Sequence, residues 1–256
     1  MMQRISLYML GLVVLLTGCA QSDASFAPES IGSSTGQGGS LARFTIVNDY
    51  LYTLESSRLS WFAVNEGTPV SKGSVQLPEG KETIFPLDDL LFVGAQDGLT
   101  IFSVQANGQP VEQGSIFHFA ACDPVVANET HAYVTLRIEG CAGIFNNRPT
   151  ENVLNVYDVT NLENPTPIAS YPMQSPRGLG LAGDILFLCE GEFGLKVFDV
   201  SNPLDIQLLS HRTDIHANDV IALPEQLLVI GPDNLTQFDY SDPAQLVKLS
   251  EMRIKP

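Results

Sequence analysis

The chain has 256 residues, 44% of them apolar, which suits one large folded domain or two small ones and excludes wholesale disorder. Thirteen Lys+Arg against 29 Asp+Glu leave a formal charge of −16. Phosphate contacts need a basic face, so nucleic acid is excluded as a partner, and so is a polybasic membrane-surface role.

At the N-terminus, Ile5 to Leu16 is an apolar run behind a single cation, Arg4. Its length is that of a signal-peptide core and too short for an ordinary spanning helix. It ends in Leu16-Thr17-Gly18-Cys19, which resembles a bacterial lipobox. The resemblance implies that residues 1–18 are a lipoprotein signal peptide and that Cys19 is diacylated on sulfur and becomes the new N-terminus. Ala20 behind it implies the outer membrane. The expected location is therefore the bacterial cell envelope, with the membrane as a partner through the lipid. The alternatives are a plain secretory signal in which Cys19 is incidental and a marginal helix that stays uncleaved. Residues 19–40 are rich in Ser, Gly and Gln and read as a lipidated terminus followed by a flexible tether. Residues 41–256 are the expected folded body.

From Leu41 onward the sequence repeats. A strand pattern built on an aromatic recurs at Phe62, Phe102, Tyr157, Phe198 and Phe238. A second strand precedes each, beginning near Tyr50, Leu90, His131, Ile185 and Leu227. Both markers step by about 40 residues, the length of a four-stranded propeller blade, except once. The long step falls in an insertion, Ile138 to Asn152. Gly98 and Gly194 stand at hairpin positions that need positive φ. After the aromatic strand come Asp158-Val159-Thr160-Asn161, Asp199-Val200-Ser201-Asn202 and Asp239-Tyr240-Ser241-Asp242, whose short polar side chains favour turns. One strand ahead of each pair and one behind gives four per unit. The predicted fold is all-β, a β-propeller of five blades with four antiparallel strands each. A two-sheet sandwich would not explain the period.

The unit Leu195-Lys196-Val197-Phe198-Asp199-Val200-Ser201-Asn202-Pro203 resembles the LVIVD repeat. The stretches Cys122 to Arg137 and Pro176 to Gly191 also resemble bacterial LVIVD-repeat lipoproteins. The resemblance runs from about Thr83 to Leu249 and is weaker in the first unit, which lacks the Asp-Val-Ser-Asn-Pro turn. It implies an exported propeller and no particular activity.

Candidate functional residues follow from the alignment. Glu82, Asp123, Arg177 and Asp219 occupy equivalent positions just before the expected first strand of successive blades. That places them around one mouth of the channel, where they could bind a polar ligand, or simply supply the polar lining a channel needs. Phe145 and Arg148 lie in the insertion, a loop suited to contact or one that has drifted. Cys122 opens the third blade and Cys141 sits in the insertion, and a bridge between them would staple the loop to the ring. Cys189 reads as a buried thiol. His118 and His216 fall near the same rim. The sequence contains no Gly-x-Ser-x-Gly elbow, His-Glu-x-x-His pair, phosphate loop or dinucleotide fingerprint. The expectation is a non-enzymatic binding module for a protein or glycan partner, with no cofactor and no metal. The alternative is an exported metal-dependent hydrolase or lyase at the channel mouth, using His118 or His216. A third reading is an assembly scaffold.

Overall fold

The computed structural model describes residues 38–64, 68–96, 98–117, 124–137 and 152–254. It contains five four-stranded antiparallel sheets, each made of strands consecutive in sequence. Blade 1 is β1 (Phe44–Val47), β2 (Tyr50–Glu55), β3 (Arg58–Ala63) and β4 (Val70–Gln76). Blade 2 is β5 (Lys81–Leu87), β6 (Leu90–Ala95), β7 (Gly98–Val104) and β8 (Pro110–Phe117). Blade 3 is β9 (Val125–Ala127), β10 (His131–Leu136), β11 (Val153–Asp158) and β12 (Thr166–Pro172). Blade 4 is β13 (Leu179–Ala182), β14 (Ile185–Cys189), β15 (Leu195–Asp199) and β16 (Gln207–Arg212). Blade 5 is β17 (Asp219–Leu223), β18 (Gln226–Ile230), β19 (Asn234–Asp239) and β20 (Val247–Arg253). The predicted five-bladed propeller is the observed architecture, and among the described residues no strand is exchanged between blades.

The repeated aromatic has a structural reason. In every blade the third and fourth strands slip register immediately before it, at Trp61/Phe62, Ile101/Phe102, Val156/Tyr157, Val197/Phe198 and Gln237/Phe238. A bulge adds twist, and twist lets one blade lie face to face on the next. The turns after these strands close as the Asp residues suggest. Asp158, Asp199 and Asp239 each accept the backbone N–H two residues on. Those hydrogen bonds, with the hydroxyls of Thr160 and Ser201 leading at Asp158 and Asp199, hold all three carboxyls below the usual range.

The inner strands β1, β5, β9, β13 and β17 pack in succession around the axis, while the outermost, such as β20, is exposed throughout. The core is divided between blades. One cluster joins blades 1 and 2 through Tyr52, Leu59, Ile84 and Phe102, and others join 2 to 3, 3 to 4, and 4 to 5. Cys189 is a free, buried thiol in the last of these, and burial pushes it well above the usual thiol range. Cys19, Cys122, Asp123, Cys141, Phe145, Arg148 and His118 lie outside the described residues, as do residues 138–151 of the insertion.

Candidate functional site

The mouth where the inner strands begin holds a cavity of about 80 Å³. Its wall is built blade by blade: Glu82 and Thr83 from blade 2, Pro124 and Arg137 from blade 3, Pro176 and Arg177 from blade 4, and Asn218 from blade 5. Leu41, in the lead-in to blade 1, completes it. Two of the aligned positions, Glu82 and Arg177, thus meet on one surface. The other wall residues escaped the sequence reading. Asn218 precedes the aligned Asp219, and Arg137 precedes the insertion. Neither carries a local motif, and only the ring brings them together.

Arg177 is held from both sides. Its backbone N–H donates to the Cys189 carbonyl at 2.7 Å, and its own carbonyl accepts from Thr135 Oγ1 at 2.8 Å. Its guanidinium lies against the bare Cα of Gly191, where an added Cβ would sit 2.6 Å from Nε. Gly191 has φ +58 and its backbone bonds reciprocally with Ala217 of the next blade, so glycine is required there on two counts. Arg177 Nε and Asn218 Oδ1 are both buried and make no hydrogen bond. They are a donor and an acceptor in one wall, each left without the partner that buried polar groups ordinarily have.

Asp219 is in the same mouth but turns inward. It is 8% exposed, and its carboxylate accepts from Ser40 Oγ and from the backbone N–H groups of Ser40 and Leu41. Burial pushes its carboxyl up to about 6, against the lowering effect of those bonds. Ser40 is fully buried and also accepts from the Leu179 N–H at 2.6 Å. Gly39 lies so close that a Cβ there would stand 2.2 Å from Asp219 Oδ2. The last residues of the predicted tether, Gly38 to Ser40, therefore form a strap docked in the mouth, which the low-complexity composition concealed. Below it, Glu190 is fully buried and pairs with Lys196 at 2.8 Å.

The described histidines line other surfaces. His131 is 2.8 Å from Thr130 Oγ1, and His211 Nε2 is 2.8 Å from the Phe193 carbonyl. His216 is exposed beside Arg212 and Asp214 in a surface depression on blades 4 and 5. Among the described residues no three His, Cys, Asp or Glu side chains converge to hold a metal ion.

No protein-family model and no curated protein sequence matches the chain, so the likeness to LVIVD repeats rests on the repeat residues alone. Solved structures do match. The periplasmic gluconolactonase of Pseudomonas aeruginosa shares 13% identity at a TM-score of 0.60, over 81% of this chain and 68% of that one. A putative 6-phosphogluconolactonase from Bacteroides uniformis shares 11% at 0.61, over 86% and 70%. A protein from Lactobacillus plantarum shares 15% at 0.60, over 84% and 69%. At such identities the likeness shows the β-propeller fold.

These neighbours overturn the expectation that the chain is not an enzyme, because propellers bearing enzyme names share its architecture. The physical reason lies in the criterion. A nucleophile elbow or a His-Glu-x-x-His pair belongs to strand–turn–helix or helical contexts. A propeller site is assembled from single residues on separate blades, and a search for local motifs does not see it.

Proposed function

We propose that the chain is a cell-envelope propeller, anchored through Cys19, that acts on a small sugar-derived lactone or sugar acid at the strand-start mouth. The observation that carries the reading is the unpartnered pair in the cavity wall, Arg177 Nε and Asn218 Oδ1. A guanidinium N–H suits a carboxylate or lactone carbonyl, and an amide oxygen suits a sugar hydroxyl. Arg137 adds a second cation to the wall and Glu82 a carboxylate. The enzyme names among the neighbours favour the lactone class. In that reaction water adds to the carbonyl carbon and the ring C–O bond breaks. Glu82 takes a proton from the water and returns it to the ring oxygen, which leaves as a hydroxyl. The arginines steady the oxyanion that forms between the two events.

Size refines the reading. A cavity of about 80 Å³ is far below the roughly 300–1,000 Å³ of small-molecule sites. It admits one end of such a ligand while Leu41 and the strap are in place. Full occupancy requires the strap to lift.

The test is direct. The full chain in detergent is incubated with δ-gluconolactone and acid release is followed, with gluconate binding measured by calorimetry. Turnover or binding that Arg177→Met abolishes supports the reading. Neither activity nor heat with either compound overturns it.

A further inference from the structure

The strap makes its bonds as a ligand would. Ser40 Oγ donates to Asp219 Oδ1 at 3.3 Å and accepts the Leu179 N–H at 2.6 Å. The backbone N–H groups of Ser40 and Leu41 also donate to the Asp219 carboxylate. The strap thus offers donors to one buried carboxylate and an acceptor to one backbone N–H. Two glycines leave the carboxylate that room. A Cβ on Gly39 would stand 2.2 Å from Oδ2, and one on Gly178 would stand 2.0 Å from Oδ1. These groups adjoin the cavity wall, since Asp219 follows Asn218 and Leu179 lies just beyond Arg177. The buried Cys189 thiol feels the charges of both Asp219 and Arg177. The strap also has a natural hinge. From Ala42 onward the chain is pinned to blade 2: the Ala42 carbonyl accepts the Ile84 N–H at 2.9 Å, and Arg43 donates to the carbonyls of Lys81 and Glu82 at 2.9 and 3.0 Å. Ahead of it Gly38 and Gly39 lose more backbone freedom on ordering than any other residue type, which offsets much of what docking gains.

We propose that the strap is an internal ligand, and that the Asp219 carboxylate and the Leu179 N–H form a subsite for the vicinal diol of a sugar. A vicinal diol reproduces what the strap presents. One hydroxyl, in the place of Ser40 Oγ, donates to a carboxylate oxygen and accepts the Leu179 N–H. Its neighbour donates to the other carboxylate oxygen, in place of the backbone N–H groups. The Val220 N–H, on Asp219's own strand, bonds the carboxylate throughout. A compound without paired hydroxyls would displace the strap only by leaving a buried carboxylate short of partners, which is costly. The inference deepens the proposed function and rests on it for the rest of the ligand, whose carboxyl or lactone end meets Arg177. It adds a selection rule: the mouth opens to polyhydroxy compounds and stays shut to simple acids.

The experiment titrates the full chain in detergent with D-glucitol, the reduced counterpart of gluconate, and with 1,6-hexanediol, which carries hydroxyls on a chain of the same length but no vicinal pair. Glucitol is expected to speed amide exchange at Ser40 and Leu41 about tenfold by releasing the strap, while Leu179, β14 and β15 keep their protection. Hexanediol is expected to change nothing. Calorimetry supplies a second readout. Ser40→Ala is expected to bind glucitol about tenfold more tightly than wild type, because the competing hydroxyl on a charged group is gone. Strap exchange that glucitol slows or leaves unchanged overturns the proposal. So does an equal response to hexanediol, or glucitol affinity in Ser40→Ala no tighter than in wild type. Glucitol has no carboxylate or carbonyl for Arg177, so the two readings fail separately. A glucitol response without lactone hydrolysis supports the subsite, and hydrolysis without a glucitol response overturns the subsite alone.

Discussion

Ser40 Oγ donates to Asp219 Oδ1 at 3.3 Å, across 179 positions of sequence. The contact fastens the start of the folded body to the first residue of the last inner strand. It shuts the channel mouth with the segment that leads back toward Cys19. A low-complexity tether thus ends in a buried, hydrogen-bonded strap, because three residues without bulk (Gly38, Gly39, Ser40) are what the crowded mouth admits.

Disturbing the strap should open the cavity without unfolding the blades. Gly39→Ala sets a methyl against the Asp219 carboxylate, where 2.2 Å is available. Ser40→Ala leaves the Leu179 N–H and Asp219 short of a partner, at a cost of about 1–3 kcal/mol. Both variants should show fast amide exchange at residues 38–41 and near-wild-type exchange in β14 and β15. Protection lost throughout the ring would show that the strap is part of the global fold.

Stability should depend on pH through Asp219. Its folded carboxyl is raised from 3.8 to about 6, so the folded state holds the proton more tightly than the unfolded chain. The contribution is therefore complete below about 4 and is lost as pH rises through 6, by on the order of 3 kcal/mol. The carboxyls of Asp158, Asp199, Asp214 and Asp239 are lowered and act in the opposite direction. The measurement is thus the difference in urea unfolding between wild type and Asp219→Asn at pH 4.5 and 7. A difference that does not change between those values would refute the assignment.

Gly191→Ala should mimic loss of Arg177. The added Cβ meets Nε at 2.6 Å and the φ of +58 disfavours it, so the guanidinium must swing out of the wall. Binding of gluconate should weaken at least tenfold, and Arg177→Lys should not restore it, since an ammonium lacks the guanidinium's fork. Wild-type affinity in Gly191→Ala would remove Arg177 from the site.

Two equivalent aromatics should differ in worth. Phe102→Ala empties a buried position between blades and should cost about 3–5 kcal/mol. Phe62→Ala removes a half-buried side chain and should cost less than about half of that. Equal losses by chemical denaturation would mean that Phe62 is packed as fully in solution as Phe102.

The blades were legible in the sequence because their cause is local. A period near 40, an aromatic at each third-strand bulge, and Asp-initiated turns are each set by residues a few positions apart. Hence Phe198, Asp199 and Asn202 sufficed to place a strand and its turn, while the bulge at Val197/Phe198 came only with the structure. Half of the site was legible for the same reason: Glu82 and Arg177 follow from blade equivalence. Asn218 and Arg137 do not, because what makes them matter is a shared cavity and not a spacing. Whether a polar group there lacks a partner depends on every blade at once.

The amino-acid sequence by itself thus determined the all-β class, the number of blades and the turn chemistry, since strand period and turn preference act over short range. Only the tertiary structure decided that Ser40 is buried on Asp219 and that Arg177 and Asn218 share a wall. Those are relations between blades far apart in sequence, decided by how the ring packs.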